Sequence, residues 1–235
     1  MKTKIIFEDK DVLVIQKPAG LATQTARVDQ QDVVSELKNY LGGPAYLGIV
    51  HRLDQPVEGL LVFGKNKSAT ASLTAQLQRQ DMDSAMNKRY YCVLCGKAPA
   101  TEGRLVDYLY KDTDGKAVVL SAEDAKKDAR AKRAVLQYHI LRETEISTSI
   151  YLSLADIHIE TGRFHQIRAQ MSHGGMCLLG DGKYGDDNAR EISQRLGIRS
   201  AALCAYSLEF THPVSKEKLS FQIKPQGKGF SYFQD

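Results

Sequence analysis

No window of this chain approaches the ~18 apolar residues that a membrane-spanning helix needs. The opening Met1-Lys2-Thr3-Lys4 runs into a strand-like segment rather than the apolar core of a signal peptide. Cysteine is sparse, with four residues scattered at 92, 95, 177 and 204. These absences lead us to expect an intracellular, cytoplasmic protein with reduced thiols and no membrane partner. The Cys92-x-x-Cys95 pair lies inside Tyr90-Tyr91-Cys92-Val93-Leu94-Cys95, a β-rich run. Residues three apart on a strand point to opposite faces, which is wrong for a metal knuckle, so buried free thiols and no metal are expected. Neither HExxH nor GxSxG occurs, so a zinc protease and a nucleophile-elbow hydrolase find no support. Repeats, low-complexity tracts and linkers are also missing, and a single domain over 1–235 is the expectation. Excess charge is small: 32 basic against 28 acidic residues, net +4, permits an anionic partner without demanding one.

What is present reads as strands with a few helices. Residues 5–16 suggest two short strands around Asp9-Lys10-Asp11, broken by Lys17-Pro18-Ala19-Gly20. Val33, Val34, Leu37 and Leu41 form a helical stripe over 32–41, stopped by Gly42-Gly43. A short apolar run, Tyr46 to Val50, delivers His51-Arg52-Leu53-Asp54 to a loop, and Leu60 to Phe63 continues as a strand. Ser68 is placed to cap a following helix. Strands are expected at 89–95 and 134–141, with a polar, turn-rich stretch over 110–133 between them. Within that stretch, Lys126, Lys127, Arg130, Lys132 and Arg133 belong either to a solvated connection or to a phosphate-binding surface. The alternation of 150–159 predicts a half-buried strand, and Thr161-Gly162 turns the chain into a helix of about ten residues ending at Gly174-Gly175. A helix near 187–196 and strands at 203–210 and 218–223 complete the chain. The expected fold class is α+β, a largely antiparallel mixed sheet with helices packed on it.

Three polar clusters interrupt the apolar pattern. His51-Arg52-Leu53-Asp54 puts an acid beside an arginine at the end of an apolar run, which suits either a catalytic carboxylate or a structural Asx turn. Lys88-Arg89-Tyr90-Tyr91 opens a strand, where tyrosine is commonly part of the core. Thr161-Gly162-Arg163-Phe164-His165-Gln166-Ile167-Arg168 offers Arg163, His165, Gln166 and Arg168, with salt bridges as the ordinary use of either arginine.

Together these clusters resemble the RluA family of pseudouridine synthases over nearly the whole chain. FEDKDVLVIQKPAGL is similar to that family's opening strands and Lys-Pro turn, and HRLDQPVEGLLVFGKN to its central motif. KRYYCVLCG, TGRFHQIRAQMSHGGMCLLGDGKYG and LCAYSLEFTHPVSKEKLSF resemble the remaining motifs in the right order. The resemblance implies the pseudouridine synthase fold and isomerisation of uridine in structured ribosomal or transfer RNA. It also implies a monomer that needs no cofactor. By the same resemblance Asp54 is the catalytic aspartate, Tyr90 the tyrosine that stacks on the target base and Arg168 the arginine that pairs with the aspartate. Leu178 falls near the apolar contact to that base, and Arg52 fills the space of the flipped nucleotide. His51, Arg163, His165 and Gln166 are further substrate-binding candidates. The first expected strand starts by residue 5, so recognition is assigned to the catalytic domain, without an S4-type module.

Two positions depart from the resembled pattern. Val57-Glu58 stands where a pair of small hydroxyl residues is usual, and Glu58 adds a negative charge near an anionic substrate. Phe164 stands where threonine is common. An inactive RNA-binding relative and an unrelated hydrolase using Asp54 with His51, His165 or His173 are the competing readings.

Overall fold

The computed structural model describes residues 1–26, 29–79 and 85–234. The elements run β1 (Lys4–Glu8), β2 (Val12–Lys17), α1 (Val33–Tyr40), β3 (Gly48–Ile49), β4 (Glu58–Gly64), α2 (Lys67–Gln78), β5 (Asn87–Cys95), β6 (Glu102–Lys111), β7 (Ala117–Leu120), α3 (Ala122–Ala125), β8 (Lys132–Ser147), β9 (Ile150–Ile159), α4 (Gln166–His173), α5 (Asp187–Leu196), β10 (Leu203–Thr211), β11 (Lys218–Gln222) and a terminal 3-10 turn, Lys228–Phe233. The described pairings are mostly antiparallel, β4 pairs parallel with β10, and helices pack on the sheet, so the structure is the α+β arrangement expected. None of the described helices is long and apolar enough to cross a membrane.

The chain divides into two units. One comprises Met1–Arg89 and Cys204–Gln226, the other Tyr90–Leu203 and Gly227–Asp235. In the first, β4 is the central strand. It pairs antiparallel with β2 from Gly59 to Gly64, and its opposite edge is shared by β3 at one end and β10 at the other. Every residue of β4 is buried, as are Val12, Leu13, Val14 and Ile15 of β2 at 0 % exposure. Both strands read as continuous apolar runs because both of their faces are covered. Val14, Leu60, Val62, Leu73 and Phe210 form one core cluster here. α2 is capped by Asn66, not Ser68: the Asn66 carboxamide accepts from Ala69 N at 2.9 Å. Asparagine is as good a cap as serine, and its position lets the helix begin two residues earlier.

In the second unit the strand order is β5-β9-β8-β6-β7. The region 110–133 is more regular than its polarity suggests. The end of β6, then β7 and the short α3 occupy it, and β6 pairs with β8 from Glu102↔His139 to Leu109↔Lys132. The sequence of β9 alternates, but its burial does not. Ser153 is 0 % exposed and Asp156 9 %, and the Ser153 hydroxyl meets its burial by donating to Gly96 O at 2.7 Å. α4 has eight residues rather than ten because His165 sits in the left-handed region (φ 52°) and the helix starts only after it. Arg163 therefore lies on a loop, not on the helix.

Candidate functional site

The Asp54 loop lies in the first unit, and the backbone around the carboxylate is held from several sides. Thr23 Oγ1 donates to Leu53 O at 2.9 Å and accepts from Leu53 N at 3.2 Å. Gly20 N donates to Gln55 O at 2.8 Å, and Gln55 Nε2 returns a bond to Gly20 O at 3.1 Å. Asp54 O accepts from Val57 N at 3.1 Å, closing the turn. Leu53 and Val57 are buried on either side, Asp54 is half-exposed and Arg52 is exposed. The loop thus presents one carboxylate from a backbone anchored at 53, 54 and 55.

Lys17 is the feature that residue patterns did not single out. It is fully buried, and its ammonium donates to Pro18 O (3.0 Å), Leu21 O (2.6 Å) and Gln55 O (3.1 Å). It ties the Lys-Pro turn to the residue following Asp54. Burial pulls its pKa down to about 7, against the nearby carboxylates of Asp54 and Glu58, which favour the charged form. Glu58 is 3 % exposed, and its two oxygens accept from Gln226 N at 3.2 and 3.0 Å. Its charge is therefore turned into the fold beside a lysine, not out toward a substrate. Gly59, at φ +135°, follows at the crossing of β4 and β10, where a Cβ would fall 2.5 Å from Ala205 N. His51 accepts from Val62 N through Nε2 at 3.4 Å, and burial together with the Lys88 charge holds it well below the usual imidazole range.

In the second unit the candidates from the Thr-Gly-Arg motif converge on α4 and the turn after it. Arg168, 5 % exposed, grips Asp181 through two parallel bonds of 2.7 Å and lies 5.0 Å over the Tyr184 ring. Burial pushes the Asp181 carboxyl up. The Arg168 fork and the backbone N–H groups of Lys183 (3.0 Å) and Tyr184 (3.2 Å) outweigh that and keep it below its ordinary range. Asp181 belongs to the Leu-Gly-Asp turn of the resembled motif, so its position was visible there, though not its partner. Gln166 is buried and spans the loop: its carbonyl accepts from Thr161 Oγ1 (2.8 Å) and Arg163 N (2.9 Å), and its amide donates to Val135 O (3.0 Å). Arg163 is exposed and reaches Arg133 O at 2.8 Å. Tyr90 (6 % exposed) lies on β5, and Leu178 (1 %) forms a bridge with Leu94 of the same strand.

The cysteines are free; burial pushes the Cys92 thiol up and the Cys95 thiol to about 12. Among the described residues, one group has donor atoms close enough for a cation: Asp9, Asp11 and His212. His212 Nδ1 already accepts from Val214 N (3.3 Å) and Ser215 N (3.0 Å), which leaves the ring proton on Nε2, 2.9 Å from Asp9 Oδ2. A protonated nitrogen has no lone pair for a metal, so this set fits an Asp–His pair between two turns.

With this geometry in place, the comparisons with known proteins agree with one another. The RNA pseudouridylate synthase family pattern matches residues 11–173, a span holding Lys17, Asp54, Tyr90 and Arg168. The ribosomal large subunit pseudouridine synthase D of Zymomonas mobilis is 33 % identical over 231 residues, covering 94 % of this chain and 68 % of the relative. The tRNA pseudouridine synthase C of Yersinia pestis is 29 % identical over 231 residues, covering 94 % and 86 %. The structure of human RNA pseudouridylate synthase domain containing 4 superposes with a TM-score of 0.71 at 24 % identity, over 95 % of this chain and 89 % of that one, and shows the shared fold. The chain belongs to the RNA pseudouridylate synthase family.

Proposed function

We propose that this chain is an RluA-type enzyme that isomerises uridine to pseudouridine in folded ribosomal or transfer RNA, with Asp54 as the essential carboxylate. The observation that carries the reading is the Asp54 loop itself, a single half-exposed acid on a backbone tied down by Thr23, Gly20 and Lys17. Such anchoring holds one reacting group in place without a metal or cofactor. The reaction breaks N1–C1′, turns the uracil and joins C5 to C1′. The C5 proton is lost and N1 gains one, so atoms and electrons balance within the nucleotide. Asp54 starts it either by attacking C1′ or by removing the 2′ proton. Tyr90 offers a ring for the flipped base, and Leu178 an apolar floor. By the family resemblance Arg168 is assigned as the arginine of the active site, and Asp181 holds its guanidinium in orientation. The relatives named for ribosomal and for transfer RNA leave both as substrate classes.

Asp54→Asn tests this. The amide is nearly isosteric but neither attacks nor removes a proton. Release of tritium from RNA labelled at uridine C5 is expected to stop, while RNA affinity changes by less than about tenfold, roughly 1.4 kcal/mol. Multiple turnover by this variant removes Asp54 from the role.

A further inference from the structure

Phe164 has no part in the reaction just described, yet it is built as a surface. It is 41 % exposed on the loop before α4. His165, held in the left-handed region, lays its ring flat against it, with centroids 3.7 Å apart and planes 20° from parallel. That stack is anchored. His165 Nδ1 shares a hydrogen bond of 2.7 Å with the Tyr184 hydroxyl, and the same hydroxyl accepts from Ala117 N at 2.7 Å. Tyr184 and Ala117 belong to the core cluster of this unit, so the platform is fixed to rigid structure. The Lys111 ammonium lies 4.8 Å over the Phe164 ring, and exposed Arg163 adjoins it in the chain. Arg133, exposed, accepts the Arg163 guanidinium bond at its carbonyl, and exposed Lys116 lies 5.6 Å over the Tyr184 ring. Of the acids in the β6–β7 turn, Asp112 spends an oxygen on Lys116 N at 2.6 Å, and Asp114 is exposed.

An exposed phenylalanine in place of a common threonine gains nothing for solubility. A pre-stacked aromatic pair ringed by cations is the surface on which unpaired bases stack, because every base has a π-face and its phosphate needs a counter-charge. We propose that the Phe164–His165 stack is a docking platform for an unpaired nucleobase of the RNA, other than the uridine that reacts, with Lys111 moving from the ring to the adjoining phosphate. This rests on the reading of the chain as an RNA-modifying enzyme, and it adds a second base contact to that enzyme's recognition.

The chain contains no tryptophan, so Phe164→Trp introduces a sole indole reporter at the platform. In an Asp54→Asn background, which holds RNA without turnover, it is titrated with an RNA hairpin carrying unpaired uridines and adenosines in its loop, and with the matching full duplex. The hairpin is expected to quench the indole emission and the duplex to leave it unchanged. Phe164→Ala and Phe164→Thr should each weaken hairpin binding roughly 5- to 100-fold, the range of base–aromatic stacking, while Phe164→Trp binds as wild type or tighter. Lys111→Gln should lower the slope of log affinity against log salt by about one. Equal hairpin affinity for wild type and Phe164→Ala, or equal quenching by duplex and hairpin, overturns the platform alone. Failure of the wild type to bind the hairpin or to release tritium from any cellular RNA overturns the enzymatic reading with it.

Discussion

Three carbonyl oxygens converge on the Lys17 ammonium, which has three N–H groups to give. The neutral amine has two, so deprotonation leaves one carbonyl unmet and loosens the tether to Gln55. With Lys17 drawn down to about 7, turnover is expected to fall as pH rises through that value. Glu58→Gln removes one of the two carboxylates that favour the ammonium and should move this alkaline limb to lower pH, as read from tritium release across pH. An unmoved limb in Glu58→Gln counts against the coupling. Stability should run the other way. Between about 7 and the ordinary lysine value of 10.5 the unfolded chain binds the extra proton, so this group makes the fold more stable as pH rises through that window. Asp54, Tyr90 and Arg168 were legible only through the family resemblance, because their residue types alone fit turns, core and salt bridges equally well. The burial of Lys17 was not legible, since lysines are almost always exposed and nothing local to KPAG shows which carbonyls will converge. The Arg168–Asp181 pair joins residues 13 apart across a helix and a turn, a distance no helical spacing predicts.

At the scale of elements, β1, β2, α1, α5, β10 and β11 followed from apolar runs and their stop signals, and the structure bears them out. The β6–β7 hairpin did not, because its strands carry charges on the exposed face and are secured by pairing with β8 rather than by their own composition. The shortened α4 has a similar origin, a left-handed His165 fixed by contacts from Tyr184. Two substitutions test how these elements are joined. Gly59→Ala forces a side chain into the Ala205 backbone at an unfavourable φ and should cost about 3 kcal/mol or more, seen as a lowered urea midpoint. Asp181→Ala leaves Arg168 buried without its fork partner and should cost about 3–5 kcal/mol in the same measurement. Because Asp181 sits below its ordinary range when folded, its share of stability is present above pH 3.8 and is lost as pH falls through its folded value. A wild-type urea midpoint in either variant would show that the close approach or the ion pair carries no weight.

For the molecule as a whole, a net charge of +4 gives RNA only a modest general attraction, so binding should depend on placed cations and weaken steeply with salt. Turnover on RNA folded in advance should persist after EDTA treatment, since the reaction is internal and the Asp9–Asp11–His212 set lacks a free imidazole lone pair. Activity lost to EDTA and restored by zinc would refute this. The fold class was legible in the balance of strands and helices. The pairing of β4 with β10 was not, because it joins Glu58 to Cys204 through a connection that neither strand's sequence encodes.

That pairing has a consequence for synthesis on the ribosome. β10 and β11 of the first unit are translated only after the whole of Tyr90–Leu203. At roughly 5–20 residues per second, the Glu58–Gly59 end of β4 that will receive β10 waits on the order of ten seconds for its partner strand. The nascent chain therefore carries that end of β4 without its neighbour through much of its elongation. A ribosome stalled before Cys204 would display a half-built sheet, the kind of surface that holding chaperones cover, and the first unit would close only when the strand that completes it emerges from the exit tunnel.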